Sequence, residues 1–87
     1  MRVDATGLQC PLPVLRLQKA LRALGAGEQV TLLASDPMAM IDVPHFCGQH
    51  GHMMMHHESQ AGAAPGGGDL LIFEVVKGQS EAEIRRR

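Results

Sequence analysis

The chain of 87 residues is poor in aromatic residues and has almost no net charge. It contains two phenylalanines and neither tryptophan nor tyrosine, so the aromatic side chains on which proteins stack single-stranded nucleic-acid bases are scarce. Its formal net charge of −1 provides no basic field that would hold a phosphate backbone. We therefore expect no direct binding of nucleic acid.

Long hydrophobic runs are also missing. No stretch reaches the roughly 20 apolar residues that cross a membrane, and the N-terminus lacks the apolar segment of a signal peptide. These observations predict a cytoplasmic protein without membrane attachment. In that reducing compartment, the two cysteines indicate one reactive and one buried thiol rather than a structural disulfide.

The composition is otherwise that of a small globular protein. Its hydrophobic fraction of 45% is ordinary for a folded chain, and 87 residues are enough for one core but not for two. We predict a single domain over residues 1–79. A charged tail over residues 80–87, which ends in three arginines, follows it.

Hydrophobic periodicity predicts six elements in the order βαβαββ. They are a strand at 2–4, a helix from Pro11 to about Leu24, a strand at 29–35, a helix opening at Asp36-Pro37, and strands at 52–58 and 70–77. Right-handed crossovers place both helices on the same side of the sheet. The sequence therefore predicts an α/β two-layer sandwich, with a four-stranded mixed sheet and two helices on one face.

Two details of this prediction concern a proline and the third strand. Pro44 would disrupt a continuous second helix, so a second helix opening is expected at Asp42. In the third strand, the alternation of side chains places Met53, Met55 and His57 on one side.

Cys10 is the residue that points most directly to chemistry. Pro11 and Pro13 follow it, and they exclude both a regular strand and a deep helix interior, so Cys10 lies at a junction between elements. A thiol at the start of a helix faces unpaired backbone N–H groups and the positive end of the helix dipole. Because both favour the thiolate, we expect a nucleophile with a lowered pKa. The sequence shows no convincing base near it.

The second cysteine and the histidines give weaker signals. Cys47 falls with Val43 and Phe46 on the apolar face of the second helix, which predicts a buried thiol. A disulfide with Cys10 would require the two Cα atoms to lie within about 7 Å. We expect no metal site, because neighbouring strand residues point to opposite faces and the five histidines do not converge; they are His45, His50, His52, His56 and His57.

The first helix carries basic residues opposite its apolar side. Leu12 and Leu15 fall toward Arg16 and Lys19, close to Cys10 in the sequence. One interpretation is an ordinary solvated face. The other is a docking surface for acidic partner proteins beside a reactive thiol.

Three motifs occur in order over about residues 3–77: Gly7-Leu8-Gln9-Cys10-Pro11-Leu12-Pro13, Asp36-Pro37-Met38-Ala39 and Asp42-Val43-Pro44-His45-Phe46-Cys47. In this respect the chain resembles the TusA-like (SirA-like) sulfur carrier proteins. The resemblance implies that Cys10, supported by Pro11 and Pro13, accepts a sulfane sulfur as a persulfide and passes it on to an acceptor protein. Such relays serve tRNA thiolation, molybdenum-cofactor synthesis or sulfur oxidation.

The resemblance also implies the partners. The donor would be the persulfide of a cysteine desulfurase or a rhodanese-like protein, no cofactor would be needed, and a monomer could present its thiol to successive partners. The Met- and His-rich segment 52–57 and the long Gly-rich loop 61–68 depart from the family pattern. Two other functions stay open, a regulatory protein-binding module and a dithiol redox protein that uses Cys10 and Cys47.

Overall fold

The structure, a computed structural model, describes residues 1–78. The predicted charged tail at 80–87 lies outside the described residues. The elements follow the predicted βαβαββ order; they are β1 (Arg2–Ala5), α1 (Leu12–Arg22), β2 (Gln29–Ala34), α2 (Ala39–His50), β3 (Met53–Gln60) and β4 (Leu70–Val76). None of the helices in this part of the chain is long and apolar enough to cross a membrane.

The four strands form one mixed sheet in the order β1-β2-β4-β3. β1 pairs with β2 in parallel, and β4 pairs antiparallel with both β2 and β3. Together with the two helices, this sheet forms the predicted two-layer α/β sandwich, and the prediction of the fold class is confirmed. The strand β2 is central, and its side chains are buried on both faces near its end, which explains its continuous apolar run.

The core lies between the sheet and the helices. The register pairs Leu32 with Phe73 and Ala34 with Leu71, so apolar residues of the two central strands form rows on the helix side. Both helices cover these rows mostly with aliphatic side chains, and Phe46 of α2 is the aromatic side chain among them. The fully buried side chains of greatest volume are Phe73, Leu17, Leu32, Val30, Val43, Val75, Pro13 and Cys47.

The second helix is continuous from Ala39 to His50, with Pro44 inside it. The expectation of a second helix opening at Asp42 is therefore wrong. Proline removes one backbone donor and crowds the preceding turn, but the Pro44 ring is exposed and lies near the helix start. The buried side chains of Val43 and Phe46 on either side of it hold the helix against the sheet.

The third strand contains a shift in register at Met55. Met53 pairs with Val76 on the open side of the sheet, whereas His57 pairs with Phe73, whose side chain is buried under the helices. The prediction that Met53, Met55 and His57 share one side is wrong, because one extra residue in a bulge reverses the alternation beyond it.

Candidate functional site

Cys10 lies in the turn between β1 and α1, immediately before the residue that caps the helix. Pro11 occupies the N-cap position, the helix begins at Leu12, and Pro13 is buried in its first turn. The Cys10–Pro11 peptide bond is cis. The thiol is free and partly exposed. The sequence thus located the thiol at the predicted junction between a strand and a helix.

The Cys10 turn is tied to the residues that follow β2. The backbone N–H of Cys10 donates to Asp36 Oδ2 at 2.9 Å, and the N–H of Gly7 donates to Ser35 Oγ at 2.8 Å. The second oxygen of Asp36, Oδ1, accepts the N–H of Met38 at 2.9 Å. These two backbone donors lower the pKa of Asp36, so this carboxylate is a charged anchor for the turn.

The topology explains why these residues meet. β1 and β2 are adjacent and parallel, so their carboxyl ends reach the same edge of the sheet. Residues after β1 therefore lie beside residues after β2, although 26 positions separate Cys10 from Asp36. The pairing of the first two strands is the signal in the sequence from which this contact could have been found.

The surroundings of the Cys10 thiol oppose its ionisation. The pKa of Cys10 is raised from its ordinary value of 9.0 to about 11, first by burial, then by a hydrogen bond to Asp42, and then by the charges of Asp36 and Asp42. The expected lowering of its pKa by the helix dipole is therefore wrong. A helix end stabilises an anion only modestly, and here two carboxylates and desolvation outweigh it.

Asp42 is a functional candidate that its local sequence does not reveal. It stands in the first turn of α2, where an acidic residue is usually explained by the helix dipole. Its carboxylate is one of the groups that raise the pKa of the Cys10 thiol, after burial. The expectation that the sequence shows no convincing base near Cys10 stays a prediction, and the carboxylate that acts on the thiol belongs to the second helix.

The residues predicted to form a docking surface lie on the exposed side of α1. Leu12 and Leu15 are 47% and 50% exposed, and Arg16 and Lys19 are exposed as well. The structure adds two apolar side chains beside the start of α2, Met38 at 49% and Ile41 at 65% exposure. Exposed apolar side chains therefore stand at the N-terminal end of each helix.

The second thiol is in a different environment. Cys47 is 2% exposed and belongs to the core, as its place on the apolar face of the second helix predicts. Burial raises the pKa of the Cys47 thiol to about 11. Both cysteines are free, so a thiol reagent or a partner protein meets Cys10 first.

Three rings pack together at the end of α2, away from the thiol. Phe46 lies 4.6 Å from His50 and 5.8 Å from His52 between ring centroids. His52 Nδ1 accepts the backbone N–H of Gly78 at 3.0 Å, which gives this imidazole a structural role. Within residues 1–78, no three His, Cys, Asp or Glu side chains are placed to hold a metal ion together.

A groove of about 620 Å³ lies beside the residues that follow β2. Its lining consists of Ser35, Pro37, Met40, Ser59, Gly68, Asp69 and Leu71. Cys10 does not line this groove. Cys10 is therefore a partly exposed thiol outside this groove, and it suits reaction with a group that another protein presents.

Comparisons with known sequences match this chain to one family. The profile of the family Sulfurtransferase TusA matches residues 1–64. The Sulfur carrier protein TusA of Pseudomonas entomophila is 43% identical over 60 residues, which span 69% of this chain and 75% of that protein. The protein of the same name from Pseudomonas putida strain F1 is 42% identical over the same shares of the two chains.

The fold has a counterpart among solved structures. The crystal structure of a SirA-like protein from Desulfitobacterium hafniense aligns with a TM-score of 0.64 at 29% sequence identity. The alignment covers 90% of this chain and 97% of that chain. The two-layer sandwich is thus shared along nearly the whole length of both proteins.

Proposed function

The chain belongs to the TusA family of sulfur carriers, and we propose that Cys10 is the residue that carries the sulfur, as a persulfide. The observation that carries this proposal is the contrast between the two thiols. Cys10 is partly exposed at the start of α1, whereas Cys47 is 2% exposed in the core. A carrier must exchange sulfur with other proteins, so its thiol has to be reachable from outside.

The proposed transfer requires no external oxidant or reductant. The Cys10 thiolate attacks the outer sulfur of a donor persulfide, forming a new S–S bond as the donor's own S–S bond breaks. The donor sulfur leaves as a thiolate, and the proton lost from Cys10 neutralises it. One sulfur atom moves without a net change in oxidation state, and the same reaction in reverse order delivers it to an acceptor.

We propose that donors and acceptors dock on the exposed side of α1. Leu12 and Leu15 provide apolar contact, and the cations of Arg16 and Lys19 favour an acidic partner surface. Suitable donors are a cysteine desulfurase or a rhodanese-like protein. Suitable acceptors belong to tRNA thiolation, molybdenum-cofactor synthesis or sulfur oxidation. One copy of the chain, working as a monomer in the reducing cytoplasm, is sufficient for this exchange.

The docking surface is tested by charge reversal. We expect Arg16→Glu and Lys19→Glu to slow the loading of sulfur from a cysteine desulfurase charged with L-cysteine. In the unmodified protein, the loading rate should fall steeply as the salt concentration rises. Arg2→Glu is the matched control, because it reverses an exposed charge on the edge strand β1. Equal loading of all three variants by desulfurase and rhodanese-like donors would remove this surface from the proposal.

The carrier function is tested by intact mass spectrometry. After incubation with a charged cysteine desulfurase and removal of the donor, we expect a gain of about 32 Da per chain, the mass of one sulfur atom. Cys10→Ser abolishes the gain, and Cys47→Ala retains it. A chain that stays unmodified refutes the proposal. A loss of about 2 Da under oxidant, abolished by either variant, would instead indicate a dithiol redox protein.

A further inference from the structure

The groove beside the residues that follow β2 lies at the same end of the sheet as Cys10. β1 and β2 are parallel, and β2 and β3 both pair antiparallel with β4, so β1, β2 and β3 run in one direction. The Cys10 turn follows β1, residues 35–37 follow β2, and the Gly-rich loop 61–68 follows β3. A partner protein that reaches Cys10 therefore meets the groove and the loop at the same end of the sheet.

Direct contacts join the groove to the Cys10 turn. Ser35, which lines the groove, accepts the backbone N–H of Gly7 at 2.8 Å. The next residue, Asp36, accepts the N–H of Cys10 at 2.9 Å, and Pro37 after it lines the groove as well. The groove thus begins on the order of 10 Å from the Cys10 backbone, the span of about three extended residues.

The loop on the far side of the groove is held by its own hydrogen bonds. Asp69 Oδ1 accepts the backbone N–H of Gly62 at 3.1 Å, and the N–H of Ala64 donates to the Gly68 carbonyl at 3.1 Å. The side chain of Ala64 is buried, although its neighbours in the loop are exposed. This rim of the groove is therefore formed before a partner binds.

The lining of the groove indicates what it can hold. Pro37, Met40 and Leu71 provide apolar walls. Among the lining residues within 1–78, Asp69 is the one that carries a charge, and its second oxygen, Oδ2, accepts no hydrogen bond from this part of the chain. A side chain with an apolar stem and a cationic end matches both features, because the stem packs on the walls while the cation pairs with the carboxylate.

From this arrangement, and on the basis of the proposed carrier function, we infer that the groove receives an arginine or lysine side chain of the sulfur-exchanging partner. That side chain lies about three residues from the partner's reactive cysteine. Its cationic end pairs with Asp69, and its stem packs against Met40 and Leu71. The groove positions the partner's sulfur beside Cys10 and takes no part in the making or breaking of the S–S bond.

Activated peptides test this inference without a protein partner. The cationic probe is Ac-Arg-Ala-Ala-Cys-Ala-Ala-Arg-NH2, with its cysteine sulfur bonded to 5-thio-2-nitrobenzoate, and the neutral probe has citrulline in place of both arginines. The Cys10 thiolate attacks the peptide sulfur, a new S–S bond forms as the old one breaks, and the coloured nitrobenzoate thiolate leaves while the Cys10 proton passes to the buffer. Rates are measured at one pH and low salt in a Cys47→Ala background, and each is divided by the rate of the unfolded chain in urea.

We expect the folded chain to favour the arginine peptide over the citrulline peptide by about threefold after this correction, as a partly exposed ion pair gives. Asp69→Asn removes most of this preference, because the amide oxygen still accepts the Gly62 N–H but the charge is gone. Glu74→Gln, the matched loss of a charge on β4 outside the groove, leaves the preference intact.

Blocking the groove is the second arm of the test. Ser59→Phe, at an exposed position of β3 in the groove lining, removes the preference, and circular dichroism verifies that the fold persists. His57→Phe, two residues away on the same strand and outside the lining, is the matched control and retains it. Equal corrected rates for the two peptides, or an unchanged preference in Asp69→Asn or Ser59→Phe, would refute the inference.

This result is separable from that of the carrier function, because disulfide exchange with the peptides involves no sulfane sulfur. A gain of one sulfur mass on Cys10 combined with no preference for the arginine peptide refutes the groove alone. A preference for the arginine peptide without any gain of sulfur from charged donors refutes the carrier function, and with it the role of the groove in sulfur exchange.

Discussion

Alkylation of Cys10 by iodoacetamide has an expected pH midpoint of about 11, above the ordinary value of 9.0 for a cysteine thiol. Only the thiolate reacts. At pH 8 a thiol of pKa 9.0 is ionised in about one molecule in ten, and one of pKa 11 in about one in a thousand. The folded protein is therefore expected to react about a hundredfold more slowly than its unfolded chain.

The assay follows mass gain against time from pH 7 to about pH 12 in a Cys47→Ala background, with circular dichroism to verify that the fold persists. Asp42→Asn is expected to lower the midpoint, because it removes a hydrogen bond and a negative charge from the thiol. The midpoint stays above 9.0, since burial is the largest cause of the shift. A midpoint at or below 9.0 in the unmodified chain would refute this description of the site.

Three further predictions concern stability, measured by urea unfolding. Leu17→Ala, at a fully buried position, is expected to cost about 2–5 kcal/mol, whereas Leu15→Ala on the exposed side of the same helix costs about 0.5 kcal/mol or less. Gly51→Ala is expected to lower the free energy of unfolding by about 1 kcal/mol, because φ at Gly51 is +73°. Gly48→Ala is expected to raise it by up to about 1 kcal/mol, because Gly48 lies inside the helix with open space around it. The pKa of His52 is lowered by burial and by its electrostatic interactions with His50 and Lys77, so the unfolded chain binds the proton more readily. The free energy of unfolding is therefore full above pH 6.5 and falls as the pH drops below it, and His52→Asn flattens this dependence. Equal costs within either matched pair, or an unchanged pH dependence in the histidine variant, would contradict these contacts.

The fold could be predicted because each element carries its own local signal. The continuous apolar run of β2 indicated a central strand, and the spacing in α1 indicated one buried side; both are confirmed. The errors arose where tertiary packing overrides local preference. Pro44 remains inside a helix because buried neighbours hold that helix on the sheet, and the bulge at Met55 has no signal in a run of polar and apolar residues.

The candidate site, too, could be predicted only in part from the sequence. The position of Cys10 followed from the two prolines that flank the start of α1. The raised pKa of Cys10 did not follow from the sequence near it. It depends in part on Asp36 and Asp42, which come after the second strand in the chain. A helix dipole can be inferred from a stretch of sequence, whereas the charges that oppose it depend on which strand ends share an edge of the sheet.

The delivery of sulfur is the most direct test of a carrier. The chain is loaded with ³⁴S by a desulfurase, separated from it, and mixed with a reduced rhodanese-like protein as the acceptor. We expect the carrier to lose about 34 Da as the acceptor gains the same mass, with the bound sulfur mapped to Cys10 before transfer. Sulfur that maps to another residue, or that stays on the chain while the same acceptor accepts sulfur directly from the desulfurase, would contradict a carrier that exchanges sulfur through Cys10.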